Sequence, residues 1–179
     1  MKKIFCLTLF VLFVTAFYGQ KTSLNDPNLK ATIQKIKDNR DHLFKTFKGA
    51  KEPDLGLGMG ATYYTTIKIY GVKGSLDQNN FDEDMSFRIS TDEVKKATKE
   101  DFEKAFTELS GILKSVFSDL EVREKQDENM KDLVLFEKGK DTNAPMKDAE
   151  SPKYYVSLQY KEESAGVYSL FFYMTTKKN

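Results

Sequence analysis

Between Thr98 and Phe117 the apolar residues Phe102, Ala105, Phe106, Leu109, Leu113 and Val116 return at spacings of three and four, and Ile112 and Phe117 widen the stripe. That period predicts an amphipathic helix of about five turns with one face to bury. Thr98 suits the N-cap, with Asp101 three residues on as a weaker form of the capping box. A second helix is predicted after Asn25-Asp26-Pro27, with Asp26 as N-cap and Pro27 in the first position. Its stripe is Leu29, Ile33, Ile36, Leu43, Phe44 and Phe47, and Gly49 is its stop. Arg40 interrupts the stripe; its stem is expected along the core edge with its head in water.

Elsewhere the period changes to two. In Ala61–Tyr70, Tyr63, Thr65, Ile67 and Ile69 share one face, and Tyr64, Thr66, Lys68 and Tyr70 the other. Met85, Phe87 and Ile89 alternate with Ser86, Arg88 and Ser90, a second strand expected to form a hairpin with the first across a loop from Gly71 to Asp84. Leu120 and Val122 alternate with Glu121 and Arg123. Asp132–Glu137 is apolar on both faces, which predicts a central strand. Tyr154–Tyr160 and Val167–Thr175 alternate cleanly around a turn through Glu162–Gly166, a hairpin by pattern and turn chemistry. No repeat at a fixed period is visible. The expected fold is α+β: two amphipathic helices packed on one face of a five- or six-stranded, mainly antiparallel sheet.

The first residues do not belong to that domain. Met1-Lys2-Lys3 precedes an apolar run from Ile4 to Phe17, too short for a membrane span and followed by small residues. Residues 1–19 therefore read as a secretory signal, cleaved after Ala16 or Gly19, and 20–179 as one domain of roughly 160 residues. The one cysteine, Cys6, leaves with the signal, so the mature chain has no thiol or disulfide chemistry. Losing Lys2 and Lys3 moves the formal charge from +1 to −1, which argues against a nucleic-acid partner. No second spanning run exists, so an extracytoplasmic protein, periplasmic or secreted, without an integral membrane segment is expected.

Candidate chemistry is sparse. Gly56, Gly58 and Gly60 follow a helix and lead into a strand, the reverse of a phosphate loop, and lack its lysine and hydroxyl. Asp77, Asn79, Asp82, Glu83 and Asp84 invite a calcium loop, but the EF-hand spacing fails at Phe81, Asp82 and Arg88, and a solvated acidic loop is the default. His42 is the only histidine and is expected on the surface near a helix end. No catalytic residue, metal ligand or cofactor is assigned. The polar stretch Lys138–Pro152 is a loop longer than most connections.

The tyrosines are the one non-random feature: all eight beyond Tyr18 fall in predicted strands. If Ile67, Ile69, Phe87, Ile89, Val156, Leu158, Leu170 and Phe172 meet the helices, the opposite face carries Tyr64, Tyr70, Arg88, Tyr155, Phe171 and Tyr173 among small hydroxylated residues. Rigid amphipathic rings beside arginine suit recognition. The expected function is a non-enzymatic binding or interaction module, its partner an unknown protein or small ligand. The alternatives are a small carboxylate-dependent hydrolase and an envelope assembly subunit pairing through a sheet edge.

Overall fold

The computed structural model describes residues 24–42, 44–52, 60–78, 82–142 and 151–177. The signal at 1–19, the glycines at 56 and 58, the tip of the acidic stretch at 79–81 and most of the long loop, 143–150, lie outside the described residues.

Two helices and eight strands make up the described chain: α1 Leu29–Asp38, β1 Lys48–Lys51, β2 Ala61–Ile69, β3 Val72–Gln78, β4 Asp82–Ser90, α2 Lys99–Val116, β5 Glu121–Gln126, β6 Met130–Phe136, β7 Tyr154–Ser164 and β8 Val167–Lys177. All eight strands form one antiparallel sheet in the order β1-β2-β3-β4-β8-β7-β6-β5. The expected sheet of five or six strands is thus corrected to eight. Each half of the chain is a helix followed by a four-stranded meander, and the halves meet where β4 lies antiparallel to β8. That arrangement is an approximate two-fold normal to the sheet.

The two extra strands explain why the likeness of the two halves is silent in the sequence. β1 is Lys48-Gly49-Ala50-Lys51, without an apolar residue larger than alanine. β3 directs only Gly74 and Leu76 fully inward. A Cβ on Gly74 would collide with the Ser86 carbonyl and the Phe87 ring, so glycine is what lets β3 lie against β4. β2 and β4 are consequently not hairpin partners; β3 stands between them. β6 is not central either but one strand from the edge, with β5 outside it. Its outer apolar residue Phe136 is buried, with the Arg123 guanidinium 5.0 Å from the ring centre.

α2 runs as its stripe predicts. Thr98 Oγ1 accepts from the Asp101 amide at 3.3 Å, and Asp101 Oδ2 accepts from the Thr98 amide at 2.9 Å. Phe102, Ala105, Phe106, Leu109, Leu113 and Val116 are buried. α1 is shorter than expected. Asp26 is not its N-cap: Oδ1 accepts from the Asn28 amide at 3.1 Å in a turn, and the helix begins at Leu29. It ends at Asp38 because the Asn39 side chain takes over, donating to the Lys35 carbonyl at 2.9 Å and accepting from Thr46 Oγ1 at 2.7 Å. Phe44 and Phe47 still reach the core, from short 3₁₀ turns instead of an α-helix, and Gly49 is in β1.

Leu29, Ile33 and Ile36 of α1 and the buried stripe of α2 share one core with Met85, Phe87, Ile89, Leu133, Leu135, Val156, Leu158, Leu170, Phe172 and Met174 of the sheet. The helices are tied together at their ends. Lys37 Nζ donates to the Val116 carbonyl and to Asp119 Oδ1, each at 2.7 Å. The Arg40 head is at the surface, as its stem-and-head expectation has it, and is held there: it pairs with exposed Asp119 at 3.3 Å and lies 4.5 Å over the Tyr154 ring. Among the described residues no helix is long and apolar enough to cross a membrane.

Candidate functional site: the open face of the sheet

Ladder pairing fixes which outward side chains are neighbours. One row across the sheet reads Thr62, Asp77, Asp84, Thr175, Tyr155, Phe136, Glu121. The next reads Tyr64, Ser75, Ser86, Tyr173, Ser157, Val134, Arg123. A third joins Arg88, Phe171, Gln159, Asp132 and Lys125. Directly opposed side chains in such rows are about 5 Å apart at Cβ.

Of the six residues singled out by sequence, four form one patch. Phe171 stacks on Tyr173 with ring centres 6.1 Å apart and planes at 19°, and Tyr173 meets Tyr155 edge-on at 6.3 Å and 68°. Arg88 stands opposite Phe171 and is bound to Glu163 at 2.9 and 3.2 Å. Glu163 also accepts from Ser169 Oγ at 3.0 Å; that bond, with the nearby arginine, holds its carboxyl below the usual range. Tyr64 is on the same face and 46% exposed, but stands apart from the patch. Ser75 and Ser86, their hydroxyls 3.0 Å apart, fill the row between Tyr64 and Tyr173, a gap of about three strand spacings or ~14 Å.

Tyr70 is not on this face. It is fully buried in the turn between β2 and β3, with φ +50°, followed by Gly71 at φ +78°. Positive φ at both positions is the type I′ hairpin geometry, which tyrosine rarely adopts. Here the ring is anchored: its hydroxyl donates to the Ala105 carbonyl at 3.2 Å and its amide to Asp26 Oδ2 at 3.1 Å. A bulge at Tyr64–Lys68 had already broken the alternation that put Tyr70 with Tyr64. Burial, then the charges of Glu108 and Asp26, push the phenol far above its ordinary range.

The described part of the acidic stretch is strand, not loop. Asp77 ends β3, and Asp82, Glu83 and Asp84 open β4. Asp82 and Glu83 are buried, and among the described residues no three carboxylate, His or Cys side chains are grouped to hold a metal ion. Asp77 and Asp84 face each other as register partners. Each has a threonine on its far side: Thr62 Oγ1 donates to Asp77 Oδ1 at 2.6 Å, and Thr175 Oγ1 to Asp84 Oδ1 at 2.7 Å. Tyr173 hydrogen-bonds the same Asp84 carboxyl. Burial raises the Asp84 pKa, these two bonds work against the rise, and the charges of Asp82 and Asp77 add to it. Burial also lifts the Tyr173 phenol well above its usual range; a Thr175 hydrogen bond opposes this and the Asp84 charge reinforces it.

Beside this network is a cleft of about 210 Å³ lined by Thr142, Ser151, Pro152, Tyr155, Tyr173, Thr175 and Lys177. Both ends of the long polar loop thus border the aromatic patch. Arg123 donates to Thr142 Oγ1 at 3.2 Å, and Lys177 Nζ to the Ser151 carbonyl at 3.4 Å. Sequence reasoning missed Thr142, Ser151, Thr175, Lys177 and the Asp77–Asp84 pair. Reading Val72–Ser90 as a hairpin would have found the pair, since Ser75, Asp77, Asp84 and Ser86 alternate with Leu76 and Met85. His42 is exposed in a 3₁₀ turn and takes no part. No family model, curated protein or solved structure matches this chain.

Proposed function

We propose that this chain is an exported, non-enzymatic binding module, with residues 1–19 as its export signal and a small ligand received at the Tyr155–Tyr173 end of the open sheet face. The observation that carries this reading is the cleft: two tyrosine rings in edge contact walled by hydroxyl-bearing residues and a lysine. Concave, partly apolar sites with a few convergent polar groups are where small molecules bind. The Tyr173, Thr175 and Asp84 bonds fix the wall before any ligand arrives, which lowers the ordering cost of binding.

The hydrolase reading has one observation in its favour, a carboxylate pair whose member Asp84 has a raised pKa. Neither Asp77 nor Asp84 is among the described residues lining the cleft, and both carboxyls are engaged by threonine hydroxyls. Binding is therefore the stronger reading.

The test is a ligand-observed NMR screen of a chemically diverse small-molecule set against the mature chain and against a Tyr155→Ala/Tyr173→Ala variant. Hits lost in a variant that keeps its circular dichroism and a cooperative melt support the reading. An empty screen, or hits that survive the double substitution, would sink it.

A further inference from the structure

We infer that the cleft takes one neutral polyhydroxylated ring, a monosaccharide unit, a specification that rests on the binding reading above. Its polar atoms are of mixed kind. Thr175 Oγ1 spends its proton on Asp84 Oδ1 at 2.7 Å, so its oxygen has lone pairs left to offer and no proton. Thr142 is the opposite case: its oxygen already accepts from Arg123, so its own O–H is a donor. Lys177 can only donate. Acceptors and donors therefore share one small wall, which suits a ligand whose every polar group does both, and that is a hydroxyl.

The charges point the same way. Lys177, the charged residue among the described lining, disfavours an ammonium ligand, while its register partner Asp82 offsets part of its pull on an anion. A neutral ligand depends on neither effect. The rings supply the rest. Tyr155 and Tyr173 meet at 68° and form an aromatic corner, against which the C–H faces of a sugar ring can be desolvated without loss of its rim hydroxyls. At about 210 Å³ the space is below the roughly 300–1,000 Å³ of drug-sized sites and matches a single ring in size.

The experiment is a titration of the mature chain with glucose, galactose, mannose and N-acetylglucosamine. Glucosamine and glucuronate are the charged counterparts, with glycine and acetate as non-sugar controls. Saturation-transfer NMR and calorimetry are the readouts. At least one neutral sugar should bind with Kd on the order of 1 mM, ahead of its charged counterparts. Thr142→Val, at a cleft residue outside the Asp84 network, should weaken it by about tenfold, and Tyr155→Ala should abolish it in a folded protein. Preference for a charged sugar, or binding unchanged in both variants, overturns the inference. If no sugar binds while the diverse screen finds a Tyr155-dependent ligand of other chemistry, this inference falls and the binding reading stands; if neither binds, both fall.

Discussion

The two faces of the eight-stranded sheet are built from the same strands and similar residues, yet they do different work. Along β8, Phe172 is fully buried under the helices while its neighbour Phe171 is 37% exposed on the other side. Tyr160 is buried on the helix-covered face and Tyr173 is half-buried on the open one. On the covered face the side chains are mostly apolar, with Glu83 and Thr176 the buried polar pair at one end of β4 and β8, and there identity matters largely through volume. On the open face aromatic rings are interleaved with Ser75, Ser86, Ser157, Thr175 and Gln159, and identity matters through which hydroxyl donates to which carboxyl. The difference teaches that aromatic content alone does not mark a core; the neighbours across the ladder do.

The sharpest way to break this contrast is one substitution on each side of a single peptide unit. Phe172→Ala should cost about 3–5 kcal/mol in urea unfolding, the usual penalty of a cavity beneath an aromatic core residue. Phe171→Ala should cost roughly 0.5–1.5 kcal/mol, the order of one aromatic-pair contact. Comparable losses for the two would mean that the open face is also packed.

A smaller effect separates the two tyrosines. Tyr173→Phe removes a hydrogen bond to Asp84 and should destabilise by about 1 kcal/mol. Among the described residues the buried Tyr160 hydroxyl has no hydrogen-bond partner, so Tyr160→Phe should be neutral or slightly stabilising. Thermal melts of both variants read the sign directly, and a large loss for Tyr160→Phe would show that its hydroxyl is satisfied after all.

The smallest expected effect concerns pH. The Asp84 pKa is raised in the folded state, first by burial and then by Asp82 and Asp77, so the fold holds this proton more tightly than the unfolded chain does. The contribution is therefore fully present below the ordinary aspartate range and is lost as pH rises through the folded pKa. Asp84→Asn should remove that decline and relieve the like-charge pairing with Asp77, a gain of roughly 0.2–1 kcal/mol at neutral pH. Carboxylates such as Asp119 and Glu163, whose pKa values are lowered, produce the opposite trend, so the readout is the difference between native and variant denaturation midpoints from acid to neutral pH. A difference that does not change with pH would remove Asp84 from this account.

The apolar pattern was enough to find α2, β2, β4, β6, β7 and β8, because each carries several apolar residues, at a constant spacing or, in β6, in an unbroken run. It failed where one or two residues carry the element. β1 and β3 are strands by virtue of the ladders beside them, not of their own side chains. α1 stops at Asn39 because a side chain competes for its backbone, although the apolar spacing continues to Phe47. Of the candidate site, Tyr64, Arg88, Tyr155, Phe171 and Tyr173 could be placed on one face by counting alternate residues, and Tyr70 could not, since a bulge and a type I′ turn intervene.

The amino-acid sequence by itself determined the α+β class, the long helix with its cap, the β7–β8 hairpin and the aromatic outer face of that hairpin. These depend on contacts between residues near in the chain, and spacing encodes them. The tertiary structure alone decided the number of strands and their order. It also decided the meeting of Asp77 with Asp84 and of Asp84 with Thr175, and the cleft that joins Thr142 and Ser151 to Tyr155 and Tyr173. The Asp84–Thr175 contact bridges residues far apart in the chain and exists only because β4 pairs with β8 across the centre of the sheet. Such register is fixed by burying the whole apolar face at once, a global free-energy balance that no local window contains.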